Sequence, residues 1–257
     1  MAENQYGFPT EVLSLPSQGL LYPEDSPLRS GTIDVKYMTA KEEDILTSTN
    51  LIKQGKVIDK LLESVIADPK VKLDDMLVGD KNALMVGTRV LGYGKEYRIK
   101  LTDPDTSNRI EYSVDLTSLE HKTIDKTIYE NGNNFSFTTP NAKRVIEFKL
   151  LTHADEKRVS EELKGYEKME ELTGVSNVLT TRLRHQIVSV DGEKDPKVIH
   201  NFVENEFLAL DTVEYREFYD KIMPDIELKF DYTSQAGNLH TLDVPLGIEF
   251  FWPAARK

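Results

Sequence analysis

The five histidines are the side chains of this sequence best suited to bind a metal or carry a proton, and they are scattered. They are His121, His153, His185, His200 and His240. A helical zinc motif places a second histidine three or four residues after the first, so that both face one ion. No pair here has that spacing, and His200 with Glu204 is typical of a surface pair on a charged helix. We therefore predict no metal site.

Motifs for nucleophilic catalysis or nucleotide binding are also missing. The absence of cysteine excludes disulfides, thiolate catalysis and cysteine-ligated metals. No Gly-x-Ser-x-Gly elbow or dinucleotide fingerprint occurs, and the glycines at Gly92 and Gly94 lack the spacing that cradles a phosphate. Acidic pairs such as Asp74-Asp75 are ordinary in a chain with 44 acidic residues. These observations predict no catalytic residues and no cofactor.

The composition is typical of a globular protein that binds neither membranes nor nucleic acid. Of the 257 residues, 39% are hydrophobic and 30% charged, and no apolar run approaches a bilayer span. A formal charge of −12 disfavours contact with phosphates, and the basic group Arg182, Arg184 and His185 is more typical of a solvated helix face. The first residues do not resemble a signal peptide, so cytosolic synthesis and residence are expected.

Residues 1–30 are predicted to form an extended arm. Pro16, Pro23 and Pro27 fix their own φ angles and bias the preceding residues towards extended geometry, which excludes a helix. The apolar residues Leu20–Tyr22 would then be presented by an unpaired backbone. An arm of this kind buries itself poorly within its own chain.

Residues 31–151 are predicted to form a mixed core of helices and hairpins. Thr32–Met38 alternates like a half-buried strand, and Thr39 with Glu42 forms a capping box ahead of a helix. A second helix carries an apolar stripe over 57–66. Asp80 is expected to cap a further helix. The remaining elements are that helix over 81–91 and two hairpins with strands over 96–101 and 109–116, and over 134–139 and 144–151.

Residues 152–224 are predicted to form a helical insert, and residues 225–257 a C-terminal hairpin with an aromatic tail that packs on the core. The insert's apolar periodicity predicts helices over 153–172, 175–190, 196–208 and 213–222. Alternation over 226–231 and 239–244 predicts the hairpin. The fold class is thus α+β, a mixed helix and antiparallel-hairpin domain with an extended N-terminal arm and a helical insert.

Apolar and aromatic residues at both ends of the chain indicate surfaces that bind neighbours. Burial against another subunit would contribute roughly 25 cal/mol per Å² of apolar area removed from water. The alternative, that these segments wrap their own chain, stays open. The predicted interface residues are Leu20, Leu21, Tyr22, Pro23, Phe250, Phe251, Trp252 and Pro253.

Three blocks carry a resemblance to a known family. They are LPSQGLLYPEDSPLRSGTIDVKYMTAKEEDILTSTNLIKQGKVIDKLL, DKNALMVGTRVLGYGKEY and VPLGIEFFWP, in this order. Together they resemble the baseplate proteins of T-even-type contractile-tailed bacteriophages, usually described as a baseplate hub subunit. The resemblance implies a structural protein without catalytic residues, assembled in the host cytoplasm and located in the virion tail baseplate. Its implied partners are hub, wedge or tail-tube proteins, with several copies in a symmetric assembly.

The resemblance leaves two other functions open. Some members of the family are regarded as assembly factors absent from the finished particle, so a transient baseplate hub chaperone is one alternative. A tail-associated enzyme such as a cell-wall hydrolase is the other, and it would need a paired-carboxylate cleft. Some relatives carry cysteine pairs like a zinc ribbon in the C-terminal hairpin, whereas the equivalent stretch FDYTSQAGNLHTLDV has none.

Overall fold

A computed structural model describes residues 7–251 and has the predicted α+β architecture. Its strands are β1 (Thr10–Ser14), β2 (Thr32–Lys36), β3 (Glu96–Thr102), β4 (Arg109–Asp115), β5 (Phe135–Thr138), β6 (Val145–Phe148), β7 (Ile187–Val190), β8 (Lys229–Thr233) and β9 (Leu239–Asp243). Its α-helices are α1 (Ala40–Thr47), α2 (Thr49–Lys53), α3 (Val57–Val65), α4 (Val78–Tyr93), α5 (His153–Thr173), α6 (Val178–Gln186), α7 (Pro196–Asn201) and α8 (Ala209–Ile222). Among these helices, none is long and apolar enough to cross a membrane.

The strands form small antiparallel sheets. β1 pairs with β2, β3 with β4 and β8 with β9, while β5, β6 and β7 form a three-stranded sheet in that order. All three hairpins predicted from alternating residues are present as β3–β4, β5–β6 and β8–β9. The stacked rings of Tyr112 and Phe230, with centroids 5.4 Å apart, hold β8 against β4.

Local signals place α1 and α3 correctly. At the start of α1, the Glu42 carboxylate accepts a hydrogen bond from the Thr39 backbone N–H at 2.9 Å, and the Thr39 hydroxyl accepts one from the Lys41 N–H at 3.3 Å. These bonds satisfy N–H groups that have no partner within the helix. The apolar stripe of α3 is buried, as its period predicts.

α4 is longer than predicted and lies at the centre of the fold. It begins at Val78 rather than after Asp80, so the prediction that Asp80 caps the helix is wrong; Asp80 lies within the first turn, fully buried. Two glycines allow other segments to approach α4 closely. A side chain at Gly79 would overlap the backbone carbonyl of Pro224, and one at Gly87 would overlap the side chain of Leu13.

The segment 152–224 departs from the predicted all-helical insert. α5 runs as predicted, but the helix predicted over 175–190 ends at Gln186, and Ile187–Val190 forms β7, which pairs with β6. The β-branched sequence IVSV suits a strand, and its pairing completes a buried sheet. α7 is shorter than predicted and continues as a π-helical turn over Phe202–Glu206. α8 begins four residues earlier than predicted, at Ala209.

The N-terminal segment is not the unpaired arm that the prolines predicted. β1 makes a regular antiparallel ladder with β2. Further along, the guanidinium of Arg29 donates hydrogen bonds to the backbone carbonyls of Gly19, Leu20 and Tyr22, at 3.2, 2.8 and 3.1 Å. One side chain thus satisfies three carbonyls that no regular element satisfies, and the segment folds onto its own chain.

Candidate interaction surfaces

Asp80 anchors the N-terminal segment to the first turn of α4. Its carboxylate accepts hydrogen bonds from the Ser17 backbone N–H at 2.9 Å, the Ser17 hydroxyl at 2.6 Å and the Tyr22 hydroxyl at 2.6 Å. The Tyr22 oxygen in turn accepts from the Leu77 backbone N–H at 2.9 Å. Burial raises the pKa of the Asp80 carboxyl, and the donors offset part of that rise. The contacts tie a proline-rich segment to a helix more than sixty positions away.

Arg89 anchors the C-terminal segment to the last turns of the same helix. Its Nε donates to the backbone carbonyl of Phe250 at 2.9 Å, and its other nitrogens donate to the carbonyls of Gly94 and Glu96 at 2.9 and 3.2 Å. Burial lowers the pKa of the Arg89 guanidinium, because its partners are neutral carbonyls rather than carboxylates. The rings of Phe250 and Phe251 have no exposed surface.

The exposure expected for the predicted interface residues is therefore wrong for half of them. The side chains buried within the chain's own core are Leu21, Tyr22, Phe250 and Phe251, with 5%, 6%, 0% and 0% exposure. Leu20 is half-buried and Pro23 is exposed. Trp252 and Pro253 lie outside the described residues. The physical reason for the burial is the pair of polar anchors, which satisfy the backbone of both end segments inside the fold.

Another apolar surface lies at the turn between α5 and α6, which we call the tip patch. Its members are Leu172, Val175, Val178 and Leu179, with 86%, 62%, 44% and 41% of their surface exposed. Exposed glutamates at 167, 170 and 171 precede it in the last turns of α5. α5 ends at Gly174 with φ of 68° and has no basic residue in its last turn. The helix dipole therefore places a partial negative charge beside these apolar side chains.

A smaller exposed apolar surface lies where α8 begins. Leu208, Leu210 and Val213 have 50%, 59% and 39% of their surface exposed. Single exposed apolar residues are common in any protein, whereas two local groups of this kind indicate contact surfaces.

A cleft of about 750 Å³ lies among α3, α4, α5, α6 and α8, and three of its lining residues form a closed ionic triangle. Lys81 Nζ lies 2.8 Å from Asp59 Oδ1 and 3.0 Å from His153 Nδ1, while His153 Nε2 lies 3.1 Å from Asp59 Oδ2 without hydrogen-bond alignment. Because the ammonium group only donates, Nδ1 accepts and the imidazole proton is on Nε2. Burial favours a higher pKa for Asp59, but the nearby His153 ring and Lys81 ammonium group outweigh it and lower the pKa to about 2.

The triangle joins the start of α5 to α3 and α4. The histidine lone pair is engaged by Lys81, so it cannot accept a proton from a substrate without losing that bond. The other described histidines with ion-pair partners contact separate acids, His185 with Glu162 at 2.9 Å and His240 with Asp105 at 3.0 Å. The structure does not bring the histidines together, and residues 7–251 contain no group of three metal-binding side chains.

Two acids in the turn between β3 and β4, Asp103 and Asp105, hold the C-terminal hairpin against the β3–β4 hairpin. Asp103 accepts hydrogen bonds from the Tyr232 hydroxyl at 2.6 Å and the Gln235 backbone N–H at 2.8 Å. Asp105 accepts from the Ser234 hydroxyl and from His240. Although burial opposes it, these hydrogen bonds lower the pKa of Asp103 below its ordinary value. This network, with strand pairing, holds the cysteine-free hairpin in place.

Comparison with known proteins identifies the family of this chain. The family described as T4 bacteriophage base plate protein matches residues 22–251. No curated protein and no solved structure matches the chain. The family match covers α4, the tip patch and the C-terminal anchored segment, whereas β1 and the N-terminal segment before residue 22 lie outside it. The chain therefore belongs to the T4 bacteriophage base plate protein family.

Proposed function

We propose that this protein is a structural subunit of the hub region of a contractile phage tail baseplate, where it binds neighbouring tail proteins during assembly. The family match supports a baseplate role in general. The proposal adds the hub position, several copies in a symmetric assembly, and assembly in the host cytoplasm before incorporation into the virion tail. Hub, wedge or tail-tube proteins are the proposed partners.

The tip patch is the observation that carries this proposal. Its side chains are exposed although they are apolar, and covering them would contribute roughly 25 cal/mol per Å² of apolar area. The exposed glutamates in the last turns of α5 and the negative end of that helix favour a partner surface that carries basic residues beside an apolar area. Leu20 and Pro23 remain proposed contacts of the same kind.

Baseplate assembly in infected cells tests the proposal. Host cells would supply the wild-type chain, a Leu172→Glu/Val175→Glu variant or a Leu239→Glu control during infection by a phage that lacks its own copy. Leu239 is also exposed, at 69%, but lies on β9 away from the tip patch. We expect the wild type and the control to sediment with baseplate intermediates and the tip variant to remain free. Equal incorporation of all three chains would contradict the role of the tip patch.

Mass spectrometry of purified virions distinguishes a subunit from a transient chaperone. A subunit is present at a fixed ratio to other tail proteins. A chaperone is found with intermediates and is missing from the finished particle, which would overturn the structural part of the proposal.

A further inference from the structure

The outer edge of β1 carries backbone groups without a partner among the described residues. The Leu15 N–H donates to the Gly31 carbonyl at 2.9 Å, in the same register that pairs Val12 with Asp34. In an antiparallel ladder, alternate pairs exchange hydrogen bonds. The odd-numbered residues of β1 therefore bond to β2, and the N–H and C=O groups of Thr10, Val12 and Ser14 point away from it.

Pairing on the far side of β2 supports this assignment. The Ala67 N–H donates to the Asp34 carbonyl at 3.0 Å, so the backbone groups of Asp34 point away from β1. β2 is thus paired on both sides, and Leu13 fixes β1 against Gly87 of α4. The free edge is held in strand geometry before any partner arrives, which reduces the entropy cost of binding.

β1 lacks the features that usually protect a free edge. Its ladder with β2 is regular, it contains no proline, and its only charged residue is Glu11. Val12 has 61% of its surface exposed on the outer face of the pair. An unprotected, preformed edge of this kind is a site for the addition of a strand.

We propose that β1 binds an extended segment of a neighbouring baseplate protein, which adds to its free edge as a third strand. In the added strand, the residue opposite Val12 would be apolar, because its side chain would lie beside the exposed Val12 side chain on the outer face. The residue opposite Glu11 would be basic, because cross-strand pairs of opposite charge are favourable. Backbone bonds from Thr10, Val12 and Ser14 supply the binding, and these two side chains supply the selectivity. This inference rests on the proposed function, since it names a type of contact within the baseplate.

The substitution Val12→Pro tests the free edge without removing a hydrogen bond between β1 and β2. It removes an N–H that points outward, at a position where an edge strand tolerates proline. We expect the midpoint of thermal unfolding to fall by less than about 3 °C and incorporation into baseplate intermediates to fall about tenfold or more. Val12→Ile, which keeps the N–H and a branched apolar side chain, is the matched control and should incorporate normally. Thr10→Pro is a second variant of the same design.

Hydrogen exchange of the wild-type chain gives an independent readout. We expect the Val12 amide to exchange rapidly in the free chain and to become protected in purified baseplates, whereas the Leu13 amide is protected in both. Protection of Val12 already in the free chain, unchanged exchange in the baseplate, or normal incorporation of both proline variants would each overturn the inference. Failure of the wild-type chain itself to enter baseplates would instead overturn the proposed function. A dimer of the free chain that Val12→Pro abolishes would assign the edge to a second copy and would also overturn the inference.

Discussion

The segments near the two ends of the chain and the tip patch are all rich in apolar residues, but the end segments are largely buried and the tip patch is exposed. Leu21, Tyr22, Phe250 and Phe251 are buried, whereas Leu172 keeps 86% of its surface exposed. The end segments have buried polar anchors on α4, Asp80 for the first and Arg89 for the second. Among the described residues, no buried polar side chain comparable to Asp80 or Arg89 is found at the tip patch, and Glu167, Glu170 and Glu171 of α5 are exposed.

This difference shows that apolar side chains alone do not decide whether a segment is core or interface. A segment without regular structure can be buried only if its backbone groups find partners. Asp80, Arg89 and Arg29 provide such partners for the ends. The buried ends are thus expected to contribute to stability, whereas the tip patch is the surface proposed for association.

The largest effect is expected from Phe250→Ala. The ring is fully buried and packs edge-on against Tyr97 with centroids 4.9 Å apart. Its removal leaves a cavity, so the free energy of unfolding should fall by about 3–5 kcal/mol. Urea denaturation measures the change, and Leu239→Ala, on an exposed strand position, should change it by less than about 0.5 kcal/mol. A loss below about 1 kcal/mol for Phe250→Ala would show that the C-terminal segment is not part of the core.

Asp80→Ala should lower the free energy of unfolding by about 3 kcal/mol, because the three donors from Ser17 and Tyr22 lose their acceptor inside the fold. Asp80→Asn retains a side-chain acceptor and should cost less, about 1 kcal/mol. Urea denaturation and limited proteolysis of the first thirty residues are the measurements. Equal stability of the wild type and the alanine variant would mean that the N-terminal segment is held by its apolar contacts alone.

The base of α5 should weaken in acid, because Asp59 holds it to α3 and α4. Its pKa falls from an ordinary 3.8 to about 2 in the folded protein. A carboxyl with a lowered folded pKa contributes stability that is present above pH 4 and is lost as the pH falls to about 2. The contribution is about 2 kcal/mol. We therefore expect the stability difference between wild type and Asp59→Asn to shrink over that range in urea denaturation. A difference independent of pH would exclude this role.

The smallest effect on stability is expected at the tip patch. Leu172→Glu with Val175→Glu should change the free energy of unfolding by less than about 0.5 kcal/mol, because neither side chain is buried. The same variant should nevertheless lose baseplate incorporation, so stability and assembly separate at this surface. A loss of stability above about 2 kcal/mol would place the tip patch in the core of the folded protein.

Local patterns were sufficient for much of the fold. The capping box at Thr39 and Glu42, the apolar stripe of α3 and the alternation of the hairpins depend on neighbours within a few positions, so the sequence predicted them. β7 escaped prediction because its residues continue the apolar period of α6, and only pairing with β6 distinguishes strand from helix there. The free edge of β1 was not predicted either, since the segment lay inside the supposed arm.

The sequence by itself determined the α+β class, the main hairpins and the resemblance to baseplate proteins, all of which depend on local order. The tertiary structure alone decided which apolar segments are buried. The contacts that decide this join Ser17 to Asp80 across 63 positions and Arg89 to Phe250 across 161. No local periodicity records such distant partners. Burial of an irregular segment depends on them, because its backbone polar groups must be satisfied before its side chains can leave water.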